Sequence, residues 1–214
     1  MRKRIGNFLA IFLPLFAATN AFCQTEYSFD SDDDFFAHAS DWSAWRNTLQ
    51  RHYSQREAIQ KCLADAETCA PRLKGLRHVL LKGAELEPRQ QIRLVNRYIN
   101  KQRYKDDQIG SRSGPGNQWE TLTEFLHSGG DCEDFAVAKY FTLREFGFDA
   151  EDMRIVIGRE PQRATHHAML AINFDDNVLF LENDDTIRRN GDQDINRFVY
   201  AINEQGIWDH EKTN

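Results

Sequence analysis

The hexapeptide Gly129-Gly130-Asp131-Cys132-Glu133-Asp134 is the segment of this chain with the most chemistry in it. Asp131 is a residue type that caps helices, and the apolar spacing of Phe135, Ala136, Ala138, Phe141 and Leu143 predicts a helix from Cys132 to Phe146, closed by Gly147. A thiol in the first turn of a helix meets free backbone N–H groups and the positive end of the dipole, which favour the nucleophilic thiolate. The Cys132 N–H can also serve an oxyanion, and the two glycines allow close backbone approach. A buried structural cysteine is the competing reading, which the acidic neighbours Asp131, Glu133 and Asp134 disfavour. A thiolate nucleophile requires a base, and the base an orienting group. His166 and His167 lie on a predicted strand downstream, one on each face, and periodicity does not choose between them. Glu182, Asp184 and Asp185 at the end of the next strand are candidate orienting carboxylates, returned towards His167 by a hairpin.

The elements that must position these groups are legible in the apolar spacing. Trp42, Trp45, Leu49 and Tyr53 begin a helix that continues to about Leu63, and Pro71 ends that region. Leu73, Leu76, Val79 and Leu80 mark a second helix. Pro88 opens a third, with Ile92, Val95 and Ile99 on one face. Residues 106–117 are loop by composition, and Trp119, Leu122, Phe125 and Leu126 predict a short helix stopped at Gly129-Gly130. The period then changes. Residues 154–158, 166–174 and 178–181 predict three strands, with Asp175-Asp176-Asn177 turning between the last two, and Phe198–Ile202 a further strand or helix. Helices followed by an antiparallel sheet give an α+β fold in a single domain.

Composition bounds the function class. The chain has 214 residues, 41% hydrophobic and 28% charged, with 12 Gly and 5 Pro, which excludes collagenous and Pro/Gly-rich disordered chains. A formal charge of −6 lacks the basic footprint of an electrostatic nucleic-acid binder. Arg2, Lys3 and Arg4, the apolar run Phe8 to Ala18 and the small residues Ala17, Ala18 and Ala21 read as a secretory signal over residues 1–22. Its removal takes the charge to −9. Residues 23–40, with Asp30, Asp32, Asp33 and Asp34, read as a flexible acidic lead-in, and 41–214 as the domain. In an oxidising compartment Cys62 and Cys69 can pair if the chain turns between them, which leaves Cys132 as a lone thiol. Cys23 sits at the expected cleavage point. Arg72, Lys74, Arg77, Arg89, Arg93, Arg97 and Arg103 recur on the middle helices and read as a solvated face, or as one meeting an acidic partner.

A helix beginning GDCED, a strand carrying His-Ala-x-Leu and a following strand that ends in carboxylates resemble the bacterial transglutaminase-like cysteine proteinases, in particular their LapG-type periplasmic branch. The resemblance runs from Leu94 to Asp185 and rests on Trp119, the stretch Leu122 to Gly130, GDCEDFAVAKYFTLREFGF and His167-Ala168-Met169-Leu170. It implies a papain/transglutaminase-like core, with the nucleophile-bearing helix packed on an antiparallel sheet. It further implies Cys132 as nucleophile, His167 as base and Asp184 as the orienting carboxylate. The family's Leu-Asp-Asn stretch is here Leu181-Glu182-Asn183-Asp184-Asp185, so Glu182 takes that role if the alignment slips by two. The resemblance also implies Ca2+ held by Asp131, Glu133 and Asp134. The implied substrate is a large surface adhesin, cut in its N-terminal region at a pair of alanines to release cells from a biofilm. The implied inhibitory partner is the periplasmic domain of an inner-membrane cyclic-di-GMP receptor of the LapD type. Transglutaminase-type acyl transfer, an arylamine acetyltransferase and a non-catalytic calcium-responsive binding module are the competing classes.

Overall fold

A computed structural model describes residues 26–30, 34–105, 119–159, 166–192 and 197–211. The expected signal segment, the loop over 106–117, Cys23 and Asp32–Asp33 lie outside them. Among the described residues there are five α-helices: α1 (Ser43–Ala64), α2 (Lys74–Gly83), α3 (Pro88–Ile99), α4 (Leu122–Ser128) and α5 (Cys132–Glu145). Seven strands form one sheet: β1 (Phe35–His38), β2 (Met153–Arg159), β3 (His166–Phe174), β4 (Asn177–Leu181), β5 (Ile187–Arg189), β6 (Arg197–Ile202) and β7 (Gly206–Asp209). Their order is β1-β7-β6-β2-β3-β4-β5, and every neighbouring pair is antiparallel. The architecture is α+β, as the spacing predicts, with Phe198–Ile202 resolved as strand β6.

Helix α5 lies against β2 and β3 and also packs on α3 and α4. Residues Asp134 through Leu143 are buried without interruption, which explains why its apolar pattern goes all the way round rather than forming one stripe. Strand β3 is covered on both faces by alternation. Ala168, Leu170 and Ile172 join the helix-side core, whereas Met169 and Ala171 join a second cluster with Phe180, Phe198 and Trp208. The β3–β4 turn is tight, with Asp175 at φ 51° and Asp176 at φ 57°, and Asn177 already belongs to β4. Two positive-φ residues in succession match the twist of the flanking strands.

The second face engages the described parts of the acidic stretch 23–40, residues 26–30 and 34–40. Tyr27 is buried in that cluster, its backbone clamped by Asn190: the Tyr27 N–H donates to Oδ1 at 2.8 Å and Nδ2 donates to the Tyr27 carbonyl at 2.7 Å. The Arg154 guanidinium sits 3.7 Å over the Trp208 ring and donates to the Phe29 carbonyl at 2.9 Å. Residues 35–38 form the edge strand β1. The acidic composition of this stretch hides two aromatic anchors that have a sheet face to cover.

Cys62 and Cys69 form a disulfide. Helix α1 ends at Ala64, and the turn that follows brings Cys69 back beside Cys62, as the pairing requires. Among the described residues Cys132 is the free cysteine. No helix among them is long and apolar enough to cross a membrane.

Candidate active site

The head of α5 is built by its two glycines and two aspartates. Gly129 takes φ 75°, a backbone region that favours glycine, and a Cβ there would lie 2.1 Å from the Arg103 carbonyl oxygen. A Cβ on Gly130 would lie 2.2 Å from Asp134 Oδ2. The pair passes directly beneath residues 103–105, with Gly130 N–H donating to the Arg103 carbonyl at 3.3 Å and Lys105 N–H to the Gly130 carbonyl at 2.9 Å. What these glycines approach closely is therefore the protein's own backbone and Asp134. Asp134 is almost wholly buried and accepts from the Glu120 N–H at 2.7 Å and the Asp131 N–H at 3.2 Å. It fixes the first turn of the helix and the segment leading into α4.

Cys132 is half-buried, and its Sγ donates to Glu133 Oε2 at 3.0 Å. Its thiol is pushed far above the ordinary cysteine range, first by burial and then by the Glu133 carboxylate, with Asp131 adding to the effect; the Ala168 N–H, directed at the sulfur, works the other way. The helix terminus was expected to favour the thiolate. Two carboxylates and burial outweigh it in this arrangement. Tyr200 on β6 stands in the same surroundings: burial, Glu133 and Cys132 all raise its hydroxyl pKa. Its ring meets Trp42 edge-on, and Trp42 in turn meets Trp119, so an aromatic wall adjoins the cysteine.

Ala168, whose N–H faces the sulfur, is the residue after His167. His167 Nε2 lies 2.9 Å from Glu182 Oε2, and Glu182 Oε1 lies 3.5 Å from Arg188 Nε. Glu182 is 7% exposed. Asp184, which the resemblance places against His167, is elsewhere. It accepts from Thr186 N–H at 3.0 Å and Thr186 Oγ1 at 2.6 Å, and against the burial that would raise its pKa these bonds pull it down. The physical reason is the turn after β4: Asp185 at φ 70° folds the chain back so that Glu182 N–H reaches the Thr186 carbonyl at 3.1 Å, and Asp184 projects outward over that turn. His166 and Asp185 are exposed.

Among the described residues no group of three or more His, Cys, Asp or Glu is arranged to hold a metal ion. Of the three acids expected as ligands, Asp134 is committed to backbone amides. Asp131 and Glu133 are the two whose charge reaches the thiol. Spacing in the sequence did not reveal Tyr200, Trp42 or the Ala168 N–H; each arrives from a distant element, and only the His-Ala dipeptide on β3 hinted at the last.

A thiol at the head of a buried helix and a histidine–carboxylate pair on an antiparallel sheet are the parts a transglutaminase-like thiol enzyme requires. The sequence profile of the bacterial transglutaminase-like cysteine proteinases matches residues 56–208, and the chain belongs to that family of cysteine proteases. Among solved structures it is similar to LapG of Legionella pneumophila, with a TM-score of 0.59 and 24% identity over 71% of this chain and 87% of that one. The EGTA-treated form of the same protein gives 0.60 and 24% over 72% and 86%. Its calcium-bound form gives 0.61 and 24% over 74% and 89%. At this identity the likeness establishes a shared fold. Comparison with curated proteins gave no match.

Proposed function

We propose that this cysteine protease is a calcium-dependent periplasmic endopeptidase in which Cys132 is the nucleophile, His167 the general base and Glu182 the carboxylate that orients it. The observation that carries this reading is the 2.9 Å contact between His167 Nε2 and the buried Glu182 carboxylate. With Nε2 engaged, Nδ1 is the ring nitrogen that takes the thiol proton. The thiolate attacks the peptide carbonyl, and the Cys132 N–H at the head of α5 donates to the oxyanion. The imidazolium returns the proton to the leaving amine, and water, deprotonated by His167, hydrolyses the thioester and regenerates the thiol.

Asp131 and Glu133 would hold Ca2+. They fit a hard cation in kind, being oxygen donors with two negative charges, whereas Asp134 is already occupied by backbone amides. Bound there, the ion supplies positive charge that offsets the two carboxylates opposing the thiolate. The existence of calcium-bound and EGTA-treated forms of Legionella LapG supports calcium as the ion. The Cys62–Cys69 disulfide and the signal-like N-terminus support export to an oxidising compartment. The substrate we propose is the N-terminal region of a large surface adhesin, cut at a di-alanine site, and the inhibitory partner a cyclic-di-GMP receptor in the inner membrane; both rest on the family resemblance. Incubation of a purified adhesin N-terminal fragment with and without a chelator tests the reading. One discrete cut that disappears on chelation and returns with added Ca2+ is expected. Cleavage indifferent to chelation removes calcium from the account, and no cleavage removes the adhesin.

A further inference from the structure

Helix α5 is apolar around most of its circumference, yet it carries a lysine at its centre. Lys139 is fully buried. Its Nζ donates to the Glu182 carbonyl at 2.8 Å, Asn183 Oδ1 at 2.9 Å and the Leu181 carbonyl at 3.4 Å. All three acceptors belong to the end of β4 and the first residues of the turn beyond it. The same carbonyl of Glu182 accepts from Asn100 Nδ2 at 2.8 Å, and Asn96 Nδ2 reaches the Thr186 carbonyl at 3.2 Å, so α3 grips the turn from the other side.

The spacing along α5 gives this cluster its meaning. Lys139 follows Cys132 by seven residues, which is about two helical turns, ~10.5 Å along the axis and within ~20° of the same face. The stripe of α5 that begins with the thiol thus ends in an ammonium bonded to the backbone of the residue whose side chain holds His167. A methionine or leucine would fill the same space without the cost of burying a cation. A bare apolar contact, however, would leave the carbonyls of Leu181 and Glu182 with fewer donors and the turn free to choose another register. Burial lowers the Lys139 pKa to about 7, and the charges of Glu182, Asp184 and Asp185 oppose that loss.

We infer that Lys139 is a positioning residue: by bonding the Leu181 and Glu182 carbonyls and Asn183 from the nucleophile helix, it fixes the Glu182 carboxylate, and through it His167, at a set distance from Cys132. The inference rests on the reading of His167 as the base for Cys132. It explains why Glu182 rather than Asp184 meets the imidazole: the ammonium and Asn100 pin the backbone at 182, and the chain turns outward only after that point.

The test uses the full chain with Lys139→Met and, separately, Asn183→Ala and Asn100→Ala, each checked for its melting transition. Displacing a catalytic group by about 1 Å costs on the order of 100-fold, so Lys139→Met is expected to lower kcat by about 10- to 100-fold with KM within about twofold. The two asparagine variants are expected to lower kcat by a smaller factor, about 3- to 10-fold, in the same sense. They carry the test if Lys139→Met does not fold. A readout independent of turnover is the downfield proton resonance of the His167 ring N–H shared with Glu182, followed in the Cys132→Ala chain. It is expected in that parent and lost when Lys139→Met is added, or when Asn100→Ala is added if the lysine variant is unfolded. A folded Lys139→Met chain that keeps the resonance overturns the inference, as does a rise in KM at unchanged kcat. If no peptide is cleaved by the parent enzyme, the protease reading fails on its own while the resonance still decides the role of Lys139.

Discussion

Replacing Glu182 by Gln removes the charge that faces His167 and keeps the size of the side chain. The contact is 2.9 Å, and both partners are largely shielded from solvent, the side chains being 20% and 9% exposed. An imidazolium and a carboxylate at that separation attract by about 6 kcal/mol at an effective dielectric of about 20. Desolvation of the carboxylate and the hydrogen bond that glutamine can still make take back part of this, which leaves about 3–5 kcal/mol of support for the charged imidazole that forms during turnover. The expected result is a loss of about 100- to 10,000-fold in kcat with KM little changed. Asp184→Asn is the matched control. Its carboxylate serves Thr186 N–H and Oγ1 at an exposed turn, so its expected cost is a stability loss of about 1 kcal/mol or less and a kcat within about threefold of the parent. Steady-state cleavage of one fluorogenic peptide by parent and both variants, with melting curves for each, makes the comparison. A larger kcat loss from Asp184→Asn than from Glu182→Gln refutes the placement of Glu182 and returns the orienting role to Asp184.

Two further outcomes follow from elements outside the site. His52 is 2% exposed and stacked on Phe141 with ring centroids 3.5 Å apart; burial, aided by Arg56, lowers its pKa from 6.5 to about 4. The unfolded chain binds a proton there that the folded chain refuses, so stability is complete above pH 6.5 and falls as the pH drops towards 4, by up to about 3 kcal/mol. A thermal melt series from pH 7 to 4 should show this slope, and His52→Phe should flatten it; an equal slope in the variant contradicts the assignment. Reduction of Cys62–Cys69, or the paired change to serine, should lower unfolding stability by about 2–3 kcal/mol for so short a loop. Because the bridge lies at the end of α1, away from the head of α5, kcat should be unchanged in the folded reduced protein. A kcat that falls with stability intact contradicts that separation.

The parts of the fold legible in the sequence are those whose pattern is local. Helix α5 was readable from its aspartate start and apolar run, and β2, β3 and β4 from their β-branched stretches and the Asp175-Asp176 turn. The short strands β1, β5 and β7 were not, since three or four residues carry too little alternation, and β1 finds its partner β7 only at the far end of the chain. The order of the site was half legible. Cys132 announces itself by the glycines and acids around it, whereas the strand offers His166 and His167 alike and the resemblance alone selects His167. The choice between Glu182 and Asp184 depends on a turn at Asp185 whose positive φ is invisible in a run of acidic residues. The expectation of a lowered thiol pKa failed for a comparable reason: the helix terminus is a sequence-local feature, whereas the opposing burial and the Glu133 rotamer are products of packing. Lys139 gives no local signal in the sequence, because what distinguishes it is its bond to the end of β4.

The most direct test of the account is intact-mass analysis of the enzyme during turnover of a peptide ester substrate, comparing parent, Cys132→Ala and His167→Ala. A transient acyl adduct that maps to Cys132 by peptide digestion is expected in the parent, none in Cys132→Ala, and loss of product formation in both variants while their melting transitions remain. Product released by folded Cys132→Ala at the parental rate, or an adduct mapped to any other residue, would contradict it.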